Sequence, residues 1–169
     1  MKKNIFAIAL VVTTLFTASC SKPYNELETE SKTASEAYFI TTNENRTNAN
    51  NVVFSQVIQL EGSQEVPGVI TATKGIAFLS VTADSVLHSK VIIKKLAIGD
   101  VLRFAHIHVG AAGINGPVSI NLVPTAADFG VNKELRLNAV QYTLITTGAS
   151  YVNAHSNFFP GGIVRGQIR

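Results

Sequence analysis

The sequence predicts an all-β fold, an antiparallel β-sandwich or Greek-key barrel, and three observations carry that prediction. From Val52 onward, short runs rich in Val, Ile and Thr alternate apolar and polar residues, as strands with one buried face do. Gly, Pro, Asn and Asp separate these runs as turn residues. Only one stretch competes as a helix, too little for an α/β architecture. With 46% hydrophobic and 15% charged residues, a chain of 169 residues can bury one core.

The chain opens on a different kind of segment. Residues 1–19 read as an export signal, with Lys2 and Lys3 ahead of the apolar run Ile5–Phe16. That run is too short to cross a bilayer core of about 30 Å as a helix. It ends in Thr17-Ala18-Ser19-Cys20, and small residues before a cysteine resemble a bacterial lipobox. Cys20 is therefore the expected lipidation site, which would anchor an exported protein to a membrane of the cell envelope. An ordinary secretory signal with an incidental cysteine is the alternative, and Thr17 stands where a lipobox usually has Leu. Cys20 is the only cysteine, so no intrachain disulfide can form. Residues 20–50, rich in Ser, Thr, Asn and Glu, lack a sustained apolar period and read as a flexible tether.

Residues 51–169 read as one domain. Val52–Leu60 places Phe54, Ile58 and Leu60 on one face of a strand. A turn-rich connector follows from Glu61 to Gly68, then strands at Gly75–Val81 and Ser85–Leu96. The latter turns Leu87, Val91 and Ile93 inward, leaving His88 among lysines as an ordinary surface histidine. Further strands are expected at Arg103–Val109, Pro117–Leu122, Ser150–Ser156 and Ile163–Arg169. Pro124–Asn138 reads as a loop with one helical turn at Thr125–Phe129. Ala139–Thr147 is ambiguous: its β-branched residues favour a strand, while the spacing of Val140 and Leu144 fits a short helix.

The formal charge of +3 gives no case for nucleic acid. Removing Lys2 and Lys3 with the signal leaves 12 basic residues against 11 acidic, and no basic cluster exceeds Lys94-Lys95. Chemistry is concentrated elsewhere. His106 and His108 flank one residue in a strand and so share a face, just before the loop Gly110–Pro117; His155 follows near the C-terminus. Imidazole suits copper and zinc, and three ligands with an open position form a reactive coordination set. The alternative is a clamp, in which the ring nitrogens bind backbone groups and fix the loop. The loop lacks the lysine and following helix of a phosphate-binding P-loop. Glu61 and Glu65 form a carboxylate pair, expected on a solvated turn. Arg165 is a candidate for anion binding or for a structural pair with a carboxylate such as Glu65.

These motifs have an order. Leu60-Glu61-Gly62 with Glu65-Val66-Pro67, then Ala105-His106-Ile107-His108 with Gly110, Gly113 and Gly116-Pro117-Val118, then Tyr151-Val152-Asn153 with His155, then Pro160-Gly161-Gly162 with Arg165-Gly166-Gln167, together resemble the CHRD domain. The resemblance runs from Val52 to Arg169 and implies a β-sandwich or Greek-key barrel. The function it implies is poorly defined. Gly68 and Ile163 depart from the pattern, where the family has a second proline and an acidic residue. A weaker resemblance is to the copper side of Cu/Zn superoxide dismutase, with His106 and His108 matching a ligand pair, His155 a late ligand and Arg165 an anion-guiding arginine. The loop carrying the bridging histidine and zinc ligands is missing, so a dismutase of that type is not expected. The expectation is a lipid-anchored envelope module that binds a protein or glycan without evident catalysis. The alternative is a copper- or zinc-binding protein using His106, His108 and His155. The distance from His155 to the other two discriminates between them.

Overall fold

The computed structural model describes residues 51–169; the export segment, Cys20 and the tether lie outside the described residues. The elements are β1 (Val52–Glu61), β2 (Lys74–Thr82), β3 (Val86–Lys94), β4 (Leu102–Val109), β5 (Val118–Val123), β6 (Lys133–Arg136), α1 (Ala139–Thr147), β7 (Ser150–Ser156) and β8 (Val164–Gln167). The strands form one antiparallel sheet in the order β5-β4-β7-β8-β1-β2-β3-β6. Of the two architectures the sequence left open, the barrel is observed, nearly closed. The chain on either side of β6 makes contacts back to the sheet: Gly130 N–H donates to the Val91 carbonyl of β3, and the Gln141 side chain of α1 donates to the Ser119 carbonyl of the edge strand β5.

Alternation explains the core. Phe54, Ile58 and Leu60 of β1 point inward and meet Ala77, Leu79 and Val81, Leu87 and Val91, Ala105 and Ile107, and Val152 and Ala154. Burying such side chains is the main favourable contribution, at roughly 1.5–3 kcal/mol each. On the outward face of β1–β3, Ile76 and Phe78 form a second, smaller cluster with Val57 and Ile92.

Two regions sharpen or correct the sequence reading. Ala139–Thr147 is a helix, because its ends are specified. The Asn138 side chain accepts from Gln141 N–H while the Gln141 side chain accepts from Asn138 N–H. Leu144 and Ile145 bury its inner side, and Gly148 ends it. The stretch expected as a loop, Pro124–Asn138, holds a 3-10 turn at Ala126–Asp128 and also the short strand β6. β6 is a charged, mostly exposed edge strand, the kind that carries almost no apolar signal. It pairs with β3, where His88 faces Glu134 across the ladder at 3.2 Å.

Candidate functional site

The outward face of β4, β7 and β8 is not solvated. The register sets His106 opposite Asn153 and Asn153 opposite Arg165; one step along, His108 lies opposite Tyr151 and Tyr151 opposite Gln167. Two polar rows thus cross three strands, and two loops cover them. One is the connector 62–73; the other is loop 110–117, whose Asn115 side chain donates to the Val66 carbonyl of the connector at 2.6 Å. Tyr151, Asn153, His155 and Arg165 are all buried as a result.

Arg165 holds the loop down. Its guanidinium donates to the carbonyls of Ala111 and Ile114 at 3.0 and 3.1 Å and to the side chains of Asn115 and Gln167. It also lies 3.4 Å from the centroid of the Tyr151 ring, whose hydroxyl accepts from Gly116 N–H. The other neighbour of Tyr151 is His108, stacked at 4.9 Å and 9°. Arg165, Tyr151 and His108 therefore form a packed column from the closing strand to the histidine pair. Gly116 is required where the loop returns: a Cβ there would overlap the Val109 carbonyl.

The three histidines come together. One ring nitrogen from each of His106, His108 and His155 lies within 4.8 Å of the others. Strand alternation accounts for the first pair, and the β4–β7 register brings the third, so His155 packs diagonally against His106 with ring centroids 5.2 Å apart. Two of the rings are held by their Nδ1. His108 Nδ1 lies 2.9 Å from the Gly116 carbonyl, and His155 Nδ1 lies 3.0 Å from the Pro160 carbonyl. A carbonyl only accepts, so in each case Nδ1 donates, and in the neutral form of such a ring the lone pair lies on Nε2. His108 Nε2, His155 Nε2 and His106 Nδ1 are buried and have no hydrogen-bond partner. Burial, followed by the charge of His108, lowers the pKa of His106. Burial dominates at His155 too and takes it down to about 4, so its ring is neutral near neutral pH. Phe104 packs against both rings, at 4.9 Å from His106 and 4.7 Å from His155.

The two glutamates do not act as a pair. Glu61 binds Lys74 at 2.9 Å, and that hydrogen bond chiefly lowers its pKa. Glu65, expected on a solvated turn, is instead buried, its carboxyl turned from the connector onto Asn153 of the sheet. Both of its oxygens accept from the Asn153 amide, at 2.9 and 2.8 Å. Burial raises its pKa to about 7 against the opposing pull of Arg165 and Asn153. Gly162, at φ +138°, passes so close that a side chain there would strike the Glu65 carboxyl. No local signal marks this burial, since Val66 and Pro67 are the only apolar side chains between Glu61 and Gly68 and show no period.

Fold and site together define a class: a small antiparallel barrel whose outward face carries a covered three-histidine cluster. The CHRD domain model matches residues 56–168. The chain belongs to the CHRD family. No curated protein and no solved structure matches it.

Proposed function

We propose that this CHRD domain binds one copper or zinc ion through His106, His108 and His155. One observation carries the reading: three converging imidazoles each keep a buried ring nitrogen without a partner. Leaving such atoms dry costs about 1–3 kcal/mol each, and a cation at their focus removes that cost. The clamp alternative does not compete, because it uses different atoms. His108 and His155 fix the backbone through Nδ1, and that same bond aims Nε2 as a ligand. Three imidazoles suit copper or zinc and leave a coordination position open, while the neutral state of His155 near neutral pH spares the ion competition from protons. Export and attachment to the envelope membrane through lipid on Cys20 belong to the same proposal and are supported only by the sequence of residues 1–20, with Lys2, Lys3, the apolar run Ile5–Phe16 and the Thr17–Cys20 motif.

The test is calorimetric titration of the full chain with copper(II) and with zinc(II), beside the His106→Ala, His108→Ala and His155→Ala variants. One tight equivalent in the wild type, lost in each variant while circular dichroism stays native, is expected. A folded wild-type chain that takes up neither ion overturns the reading.

A further inference from the structure

Three loops meet at one end of the barrel. Neighbouring strands are antiparallel, so β1, β3 and β7 all run toward that end while β2, β4 and β8 leave it. The connector 62–73, the β3–β4 loop 95–101 and the β7–β8 loop 157–163 lie there and are stitched together. Thr73 Oγ1 donates to the Lys95 carbonyl at 3.2 Å, Asn157 N–H to the Val101 carbonyl at 2.9 Å, and Phe158 N–H to Asp100 Oδ1 at 3.0 Å.

Each loop presents a large apolar side chain to water. Ile70 and Ile98 are fully exposed, at 101% and 103%, and Phe158 and Val101 are more than half exposed, at 59% and 51%. Scattered single exposures carry no message, but exposures gathered on adjoining loops do. Ile98 is the sharpest case. It occupies the corner of a turn closed by Asp100 N–H on the Ala97 carbonyl, with Gly99 at φ +84°, a place that polar residues usually fill. The Asp100 carboxylate also takes Val101 N–H, so the tip is held in place before it meets anything.

The charge around these tips has one sign. Lys94, Lys95 and Arg103 are exposed. The acidic groups of this end are engaged or covered: Glu61 pairs with Lys74, Asp128 with Lys133, and Asp100 and Glu65 are buried. Apolar side chains that project from separate loop tips suit a fluid apolar layer, which needs no matching shape, and a basic rim suits anionic headgroups. We propose that this end of the barrel docks on an anionic lipid surface, inserting Ile70, Ile98 and Phe158 with Lys95 and Arg103 at headgroup level. The contact is separate from lipid on Cys20, because the chain enters β1 at the opposite end, and it does not rest on the metal reading.

The chain contains no tryptophan, so one introduced residue reports its own surroundings. The full chain carrying Ile98→Trp is compared with Val140→Trp, an exposed position on α1 at the far end. Both are mixed with phosphatidylcholine–phosphatidylglycerol vesicles, with and without brominated acyl chains. Expected is a blue-shifted emission quenched by bromine for Ile98→Trp and an unmoved emission for Val140→Trp. Attachment through the N-terminal segment alone brings both to the vesicle and moves neither. In the Ile98→Trp background, Phe158→Asp, or Lys95→Asn with Arg103→Glu, raises the lipid needed for half the shift about tenfold. An Ile98→Trp signal that stays with that of Val140→Trp overturns the proposal. A blue shift that appears on concentrating the protein without lipid overturns it too, and assigns the patch to a second copy of the chain.

Discussion

The half of the barrel built from β1, β2, β3 and β6 and the half built from β5, β4, β7 and β8 share one core and differ on the outside. In the first half the outward face carries half-buried His88 and Lys90, and its covered part is apolar: Ile76 and Phe78 pack with Val57 and Ile92. In the second half it is sealed under two loops, and what is sealed is polar: Asn153, His155 and Arg165 are each below 7% exposed. A strand covered on both sides is ordinarily apolar on both sides. The departure separates two cases among dry polar groups: Arg165 and Asn153 Nδ2 are bonded within the chain, whereas His155 Nε2 has no partner.

Four substitutions break or sharpen that contrast. The largest effect is expected from Arg165→Met, which strips the loop carbonyls of their donor; it should cost about 4 kcal/mol in urea denaturation and speed amide exchange in loop 110–117. Ile107→Ala acts on the core side of the same strand. It should cost about 3 kcal/mol by denaturation and leave metal stoichiometry unchanged in calorimetry, separating the two faces.

Glu65→Gln should act through pH. Folding raises the Glu65 pKa from 4.5 to about 7, so the folded chain keeps a proton that the unfolded chain releases between those values. Its contribution to stability therefore falls as pH rises through that window. The variant should match the wild type below the window and exceed it by about 2 kcal/mol above it, as thermal or urea unfolding at a series of pH values will show. A difference that does not change with pH would contradict the burial of this carboxylate. The smallest effect belongs to His88→Ala on the first half, expected within about 0.5 kcal/mol by denaturation and silent in metal titration.

What the sequence discloses follows the same division. On β1 and β3 each strand has one dry face, so alternation reports it, and the inward residues Phe54, Ile58, Leu87 and Val91 are legible. β6 escaped because an exposed edge strand of four residues has no apolar period to detect. α1 was undecided on spacing, yet Asn138 and Gln141 already spelled its capping box. At the site, alternation was enough to put His106 and His108 together. That His155 joins them depends on β7 lying beside β4 in one register, and pairing across the chain is not written locally. Burial of Glu65 has the same origin: loop 110–117 and strand β7 supply its cover and its partner from far along the chain.

β8 meets β1 at a single register pair, Glu61 with Arg165, which joins the two halves of the sheet. In kinetic terms that seam is the contact with the greatest loop to close, and contacts between distant residues are slow to form. The β1–β3 meander and the β4–β5 hairpin need only local encounters, whereas β7 and β8 must return across the barrel. His155 arrives with β7, and Arg165 locks the column behind it. A chain emerging N-terminus first thus displays two imidazoles early and the third only once the sheet is nearly whole. On the proposed metal reading, an ion that demands all three would be captured late, and its uptake would serve as a timestamp on finished folding.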